Sequence, residues 1–295
     1  MSNASPVTVL GLGEMGRALA AAFLTAKRPT TVWNRTAAKA DEPVALGAVR
    51  AGSVTEAVTG SPLVVVCLLD YGIVRETLEP VAGQLHGRTV VNLTNGTPTQ
   101  ASEMATWVAE HGGDYLDGGI MAVPTTVATP EAFILYSGER SVFDTYRGVL
   151  AELGSARYLG DDIGLASLYD LALLSGMNKM FDGFHHAVAM ATSRQEGSAS
   201  GFTELLVPWL TNMARLLPVF AADVDADLAT AADPRLTQGL DVQISALANI
   251  MNASGDAGVS TAPLESSMAA LRALLAQGHK VWSSPASVRQ LRTSS

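Results

Sequence analysis

The residues Gly11-Leu12-Gly13-Glu14-Met15-Gly16 fit the pattern G-x-G-x-x-G between a strand and a helix, which indicates the fold class. A β-branched run at residues 7–10 precedes it, and an alanine-rich helical segment at about 15–26 follows. In such a turn Gly11 permits the tight bend, Gly13 lets a pyrophosphate approach the backbone, and Gly16 allows close helix–strand packing. The pyrophosphate then meets the N–H groups at the helix N-terminus. We therefore expect all six residues to form a dinucleotide-binding loop.

The end of the second predicted strand, residues 30–33, indicates which dinucleotide binds. A site that prefers NAD places an Asp or Glu there to accept hydrogen bonds from the ribose 2′-OH. This chain has Asn34, Arg35 and Thr36 instead, with Lys39 one helical turn later and no carboxylate in between. Arg35 offers a planar fork for a 2′-phosphate, and its neighbours offer further hydrogen-bond donors. The segment predicts NADPH as the cofactor.

Strands and helices alternate through the first half of the chain. Apolar runs at residues 63–68 and 89–93 are typical of strands buried on both faces, and 114–117 and 132–136 are further strand candidates. The pattern predicts a doubly wound α/β domain with a parallel sheet, that is, a Rossmann domain. Loops after the carboxyl ends of such strands line the cofactor cleft. From these loops we expect contributions by Leu68, Leu69, Asn95 and Thr97.

The second half of the chain carries only helical patterns. A proline-free stretch rich in Ala, Leu and Met runs from residue 165 to about 193, and as one helix it would span roughly 40 Å. Further helical patterns follow at about 202–220, 236–252 and 263–277. We therefore predict a Rossmann domain over residues 1–160, followed over 161–295 by a long interdomain helix and an all-α domain.

The charge and the apolar content of the chain indicate which classes of binding partner are unfavourable. The chain has 295 residues, 48% of them apolar and 16% charged, with a formal net charge of −9. This acidity argues against binding to nucleic acid or to an anionic membrane. The longest apolar run that we recognise, residues 63–69, is too short to span a bilayer. The N-terminal segment lacks the basic and long apolar regions of a signal peptide, so we expect a cytoplasmic protein.

Cysteine and histidine usage predicts neither a disulfide framework nor a metal site. Cys67 is the single cysteine of the chain. The adjacent His185 and His186 cannot share one helix face, and no Cys/His cluster has the spacing of metal ligands.

Several motifs together resemble the imine reductase and reductive aminase family, which is related to the β-hydroxyacid dehydrogenases. They are GLGEMG, VWNRT with Lys39, NLTNGTP, DGGIMAVPTTVATPEAFILYSG and GLASLYDLALLSGM, and they cover most of the first 180 residues. The resemblance implies a homodimer in which the helical domains interlock. It also implies an active site between one subunit's Rossmann domain and the partner's helical domain. The long apolar helix independently needs more burial than one small helical domain supplies.

Two neighbouring residues on the long helix, Asp170 and Tyr169, are candidate catalytic acids. β-Hydroxyacid dehydrogenases carry a general-acid lysine near the start of this helix, whereas residues 164–172 contain none and Lys179 falls on the face opposite Asp170. A carboxylate there would stabilise a cationic iminium and could hold or deliver its proton. The resemblance implies that Asp170 matches the family's catalytic aspartate, and Tyr169 stays open as the alternative.

The expected substrate pocket is apolar. Met121 and Val123 occupy the segment where β-hydroxyacid dehydrogenases have a polar, glycine-rich loop for a carboxylate, which favours a hydrophobic amine or imine as substrate. The family often has tyrosine where this chain has Asn178. The helical half contributes these candidate pocket residues: Met177, Asn178, Phe181, Trp209 and Gln243.

The resulting hypothesis is an NADPH-dependent oxidoreductase that acts on CH–NH groups. It would reduce C=N bonds of cyclic imines and iminium ions to amines, including those formed from a ketone and an amine. Two alternatives remain open: an NADP-dependent β-hydroxyacid dehydrogenase, and a non-catalytic regulatory protein that binds NADPH.

Overall fold

The computed structural model of the protein describes residues 5–292. The chain divides into two compact units, Met1–Gly176 and Met177–Ser295. This division falls within the long helix, and the domain boundary near residue 160 stays a prediction.

An eight-stranded sheet forms the centre of the first unit, in the order β3-β2-β1-β4-β5-β6-β7-β8. Strands β1 to β6 pair in parallel, which agrees with the predicted Rossmann arrangement. The strands are β1 Val7–Leu10, β2 Thr30–Trp33, β3 Val49–Arg50, β4 Leu63–Val66, β5 Thr89–Asn92, β6 Asp114–Met121, β7 Phe133–Gly138 and β8 Ser155–Gly160.

The far side of the sheet departs from the predicted parallel pattern. β7 runs antiparallel to β6, and β8 pairs in parallel with β7. The connection over residues 122–132 carries a short 3₁₀ turn, Pro124–Thr126, and no α-helix. A parallel return needs a crossover of a dozen or more residues, usually with a helix, so this short connection brings the chain back antiparallel.

Helices cover the sheet and bury it on both faces. Val64, Val65 and Val66 of β4 are fully buried, and alternate residues belong to two separate hydrophobic clusters. That alternation explains why the central strands are continuous apolar runs. The helices of this unit are α1 Glu14–Thr25, α2 Asp41–Ala45, α3 Val54–Thr59, α4 Tyr71–Leu78, α5 Pro98–Glu110 and α6 Arg140–Leu150.

The long helix α7, Leu165–Ala191, has 27 residues and therefore extends about 40 Å, close to the prediction. The second unit adds helices α8 Ala199–Ala214, α9 Leu217–Thr230, α10 Leu240–Asp256, α11 Ala262–Ala276 and α12 Ser284–Leu291, and short strands β9 Gln238–Gly239 and β10 Val281–Trp282.

One predicted helix, 202–220, is two helices in the structure. α8 ends at Ala214, and Pro218 occupies the first turn of α9, where its missing N–H costs no intrahelical bond. Together they form the one helical stretch in residues 5–292 that is long and apolar enough to cross a membrane by length and composition, Ala199–Thr230. This stretch is longer than the apolar run at 63–69. Polar residues interrupt it in the sequence, so it is not recognisable there as a continuous apolar run.

Candidate active site

A cleft of about 720 Å³ opens at the carboxyl ends of β1, β2 and β4. Ligands of open α/β sheets bind at this edge, so the cleft coincides with the predicted cofactor site. The structure gathers there these predicted cofactor residues: Gly11, Gly13, Glu14, Met15, Gly16, Asn34, Arg35, Thr36, Lys39, Leu68 and Leu69.

The glycine loop has the shape that a pyrophosphate requires. Gly11 has φ of +95°, and a Cβ there would lie 2.1 Å from the carbonyl oxygen of Cys67. A Cβ on Gly16 would lie 2.0 Å from the carbonyl oxygen of Gly11, whereas one on Gly13 would meet nothing within 4 Å. Gly13 also caps α1 without a side-chain hydrogen bond. The space beside Gly13 and the helix N-terminus behind it thus fit an anionic group.

Leu12 and Asn34 shape this loop from within. The Leu12 side chain is fully buried, and its backbone N–H donates to Oδ1 of Asn34 at 2.9 Å. Nδ2 of Asn34 donates to the carbonyl oxygen of Thr36 at 3.1 Å. Both ends of the Asn34 amide are therefore engaged within the chain, so it joins the glycine loop to the end of β2. Donation from Asn34 to a phosphate stays a prediction, because its Nδ2 carries a second N–H.

Arg35 and Lys39 give the β2 end of the cleft its positive charge. Both line the cleft, and neither makes an ion pair within 4 Å to another residue of the described chain, 5–292. Two unpaired cations beside neutral donors suit a 2′-phosphate better than a bare ribose hydroxyl.

Asp170 meets the loop after β5. Nδ2 of Asn95 donates to Oδ2 of Asp170 at 2.6 Å, and Asp170 is only 5% exposed. A Cβ on Gly119 of β6 would lie 2.7 Å from Cβ of Asp170, so a glycine is needed for α7 to approach the strand here. Burial raises the pKa of the Asp170 carboxyl, and the hydrogen bond from Asn95 opposes that rise. A buried carboxyl with a raised pKa can hold a proton closer to neutral pH than an exposed one.

The other candidate acid, Tyr169, is 51% exposed. Lys179 is also exposed and pairs with Asp182 at 3.4 Å, so no lysine takes the place of the dehydrogenase general acid in the described part of α7. Thr97, predicted to touch the cofactor, accepts a hydrogen bond from the N–H of Gln100 and caps α5, which gives it a structural role.

The predicted pocket residues differ in accessibility. Met121 is partly buried and lies on the same face of β6 as Gly119, because residues two apart in a strand share a face. Val123 is exposed just beyond that strand. In the second unit Met177, Phe181 and Trp209 are exposed apolar side chains, Asn178 is exposed on α7, and Gln243 donates to Oε1 of Gln238.

Sequence reasoning missed a buried polar cluster around Asp117 of β6. Oδ1 of this fully buried carboxylate accepts from the hydroxyls of Tyr71 at 2.5 Å and Tyr115 at 3.2 Å, and Oδ2 accepts from Oγ of Ser167 at 2.6 Å. Nδ2 of Asn92 donates to the Tyr115 hydroxyl at 3.0 Å. An aspartate in the middle of a strand with buried neighbours was the available signal.

Among residues 5–292, no group of three or more His, Cys, Asp or Glu side chains could hold a metal ion. Cys67 lines the cofactor cleft, but burial raises the pKa of its thiol to about 11, which keeps it protonated and unreactive at neutral pH.

Comparison with known proteins adds family information to this geometry. Residues 6–160 match the family model of the NAD binding domain of 6-phosphogluconate dehydrogenase. Residues 162–293 match the C-terminal domain of NADPH-dependent reductive aminase-like proteins.

Individual relatives cover nearly the whole chain. An NADPH-dependent reductive aminase of Aspergillus oryzae is 42% identical over 277 residues, 92% of each chain. A structure of a reductive aminase from Aspergillus terreus, in complex with NADPH and ethyl-5-oxohexanoate, is 41% identical. It superposes with a TM-score of 0.91 over 98% of this chain and 100% of its own. A Streptomyces aurantiacus imine reductase is 30% identical, with a TM-score of 0.90 over 98% and 100% of the two chains.

Proposed function

The chain belongs to the family of NADPH-dependent reductive aminases and imine reductases, and from that premise we propose how its residues reduce a C=N bond. It acts on imines and iminium ions, including those formed from a ketone and an amine, and the product is an amine. The observation that carries the chemistry is the buried Asp170 carboxyl, held by Asn95 beside the end of β5.

The cofactor residues and the catalytic pair stand at opposite ends of one row of strands. Arg35 follows β2 and Asn95 follows β5, with β1 and β4 between them in the sheet. At ~4.8 Å per strand the two ends are about 14 Å apart, which suits an extended dinucleotide. Arg35, Lys39 and Thr36 would hold the 2′-phosphate, and the 11–16 loop the pyrophosphate. When bound there, NADPH supplies the hydride.

Asp170 would stabilise the cationic nitrogen of the substrate. A negative carboxylate lowers the free energy of the protonated imine relative to the neutral imine, and the protonated form is the better hydride acceptor. When Asp170 is protonated, it can instead deliver the proton to the imine nitrogen. Asn95 fixes the carboxyl oxygen for either role. Tyr169, half exposed, remains the second candidate for the proton donor.

Met121 and Val123 would form apolar walls for the substituents of the amine or ketone. We also propose substrate roles for Met177, Asn178, Phe181, Trp209 and Gln243, whose positions on the helices leave them accessible or partly so. The proposed reaction class is that of oxidoreductases acting on CH–NH groups, and the proposed location is the cytoplasm.

A homodimer is the proposed assembly. The support is the number of large apolar side chains that one chain leaves exposed on its helices, such as Leu173 and Met180 of α7 and Leu205 and Trp209 of α8. Apolar surface on this scale is typical of an interface rather than of a monomer in water.

Replacing Asp170 tests the mechanism. We expect Asp170→Asn to lower kcat for 2-methyl-1-pyrroline by about a hundredfold or more, because it removes the negative charge and the proton. NADPH affinity, measured by fluorescence titration, should stay within about twofold of wild type, since Asp170 does not line the cofactor cleft. Asp182→Asn, an exposed carboxylate on the same helix, is the matched control and should leave kcat unchanged.

Three results would contradict the proposal in different ways. Full activity of Asp170→Asn with a large loss in Tyr169→Phe would move the acid role to Tyr169. Oxidation of a 3-hydroxy acid with NADP⁺, without turnover of imines, would indicate a β-hydroxyacid dehydrogenase. Binding of NADPH without its oxidation by any imine or ketone–amine pair would indicate a regulatory protein.

A further inference from the structure

Asp117 is a buried carboxylate that the mechanism above does not use. It lies on β6 two residues before Gly119, and therefore on the same face of the strand. Its donors come from three elements: Tyr71 at the start of α4, Tyr115 of β6 itself, and Ser167 in the first turn of α7. The backbone N–H of Ser167 also faces the carboxylate. No cation contributes to this set of contacts.

The contact with Ser167 holds the start of α7 on the sheet. Ser167 is three residues before Asp170, so both side chains lie on the same face of the helix, one turn apart. The two pairs, Asp117 with Ser167 and Gly119 with Asp170, therefore form successive contacts between β6 and α7. The first contact fixes the rotation of the helix that aims Asp170 at Asn95.

The contact with Tyr71 supports the other partner of the catalytic pair. A Cβ on Gly96 would lie 2.4 Å from two ring carbons of Tyr71, so the loop that carries Asn95 rests directly on this ring. The Tyr71 hydroxyl is held by Asp117 at 2.5 Å. One carboxylate therefore holds both the ring beneath the loop of Asn95 and a side chain one helical turn before Asp170.

We infer that Asp117 is a positioning residue for the reduction of the C=N bond: by anchoring Ser167 and Tyr71 at once, it sets the Asn95–Asp170 geometry. The inference rests on the function proposed above. A misplacement of about 1 Å in a catalytic group can cost up to about a hundredfold in rate. Loss of a residue that positions both Asn95 and Asp170 is therefore expected to lower kcat. Asp117 does not line the cofactor cleft, so we expect ground-state binding of NADPH to be independent of it.

The protonation of Asp117 gives this role a pH signature. Burial raises its pKa to about 6, although the hydrogen bonds from Ser167, Tyr71 and Tyr115 oppose the rise. The two tyrosines are the titratable groups that face it, and burial raises the pKa of both phenols, so they stay neutral near pH 6. A protonated Asp117 must donate one hydrogen bond of its own and loses part of its hold on Ser167 and Tyr71.

The test compares four variants with wild type in NADPH-oxidation assays with 2-methyl-1-pyrroline. Asp117→Asn keeps the size of the side chain but not its charge, and Ser167→Ala removes the hydroxyl that joins α7 to Asp117 while it keeps the carboxylate. The matched controls are Asp161→Asn, which loses a hydrogen bond from Tyr158 away from this cluster, and Tyr136→Phe, which loses a buried hydroxyl with no partner among the described residues. kcat, KM, NADPH affinity and the pH profile of kcat are measured for each.

We expect Asp117→Asn and Ser167→Ala to lower kcat about tenfold, with KM and NADPH affinity within about twofold of wild type. The acid limb of kcat between pH 5 and 7 should be shallower in Asp117→Asn, because one ionisation is gone while that of Asp170 remains. The two controls should match wild type in all four measurements. If Asp117→Asn does not fold, Ser167→Ala carries the same expectation of kcat.

Unchanged kcat in both Asp117→Asn and Ser167→Ala, with wild type active, would overturn this inference alone. So would an equal loss of kcat and NADPH affinity, or an equal loss in the controls, because these indicate a merely structural role. If wild type oxidises NADPH with no imine at all, the proposed function itself fails, and this inference fails with it.

Discussion

The two units of the chain differ in how completely they bury their apolar side chains. In the first unit two large clusters enclose the sheet, and most of their members are fully buried. In the second unit, as far as the structure describes it, to residue 292, the one hydrophobic cluster consists of Leu240, Leu274 and Ala286, with Leu271 and Trp282 packed against it. Its α8 meanwhile exposes Leu205 at 74% and Trp209 at 59%.

The difference supports the proposal that another copy of the chain covers the exposed side chains of the second unit. Burying one large apolar side chain stabilises a fold by roughly 1.5–3 kcal/mol, and a helix that leaves several exposed forgoes that contribution. The first unit also leaves single apolar side chains such as Leu46 exposed, but two large clusters enclose its sheet, and it holds the cofactor cleft. We therefore expect cofactor binding to depend on the first unit alone, and activity to depend on association of the second.

A charge placed on the exposed face of α8 is expected to have the largest effect. Leu205→Glu would bury a carboxylate without a partner in the proposed dimer interface, which costs about 3–5 kcal/mol, or more than a hundredfold in dimer affinity. Light scattering coupled to gel filtration should show a monomer, and imine turnover should fall with dissociation. NADPH affinity should stay unchanged.

The matched control is Leu46→Glu, which makes the same change at an exposed leucine of the first unit. It should leave the oligomeric state as in wild type. Persistence of the dimer in Leu205→Glu would show that the exposed face of α8 is not the dimer interface. Recovery of the wild-type protein in the membrane fraction would assign the Ala199–Thr230 stretch to a bilayer instead.

An effect of intermediate size is expected at the cofactor cleft. Arg35→Ala removes the charged fork from the β2 end, and we expect the KM for NADPH to rise about ten- to a hundredfold with little change in the KM for NADH. Lys39→Ala should act in the same direction but less strongly, because a lysine binds phosphate as a point charge.

Arg50→Ala is the control for this experiment, since Arg50 pairs with Asp41 and does not line the cleft. It should leave both KM values unchanged. A parallel rise of the NADH and NADPH values in Arg35→Ala would place Arg35 away from the 2′-phosphate. A changed NADPH affinity in Leu205→Glu would show that the first unit does not bind the cofactor independently.

The sequence predicted those parts of the fold and site that depend on local patterns. The 11–16 loop, the second strand and α7 carry their signals in consecutive or regularly spaced residues, and the structure has them within a few residues of the prediction. The antiparallel β7 was missed, because strand direction depends on the connection and not on the strand's own residues.

Single residues of the site could be predicted from the sequence, but the contacts between distant residues could not. Asp170 could be proposed from its helix and the family resemblance, but its hydrogen bond to Asn95 joins residues 75 positions apart. Asp117 links Tyr71 and Ser167 over 46 and 50 positions. No periodicity encodes such contacts, so the positioning cluster emerged only from the folded chain.

The smallest effect expected is on stability as a function of pH, and here the two units should respond with opposite sign. Burial raises the pKa of Asp117 in the first unit to about 6, whereas hydrogen bonds from Arg235 lower the pKa of Asp223 in the second. Between about pH 6 and 4 the native first unit takes up a proton that the unfolded chain does not, so its stability rises as pH falls. The stability that Asp223 contributes is present above its unfolded pKa of about 4 and is lost as pH falls further.

Thermal unfolding of wild type, Asp117→Asn and Asp223→Asn is measured from pH 7 to 3. Asp117→Asn should lack the gain in stability between pH 6 and 4, and Asp223→Asn should lack the loss of stability at lower pH. Asp170, whose pKa is also raised, adds a gain that all three proteins share, so an Asp117→Asn curve parallel to wild type above pH 4 would contradict the assignment.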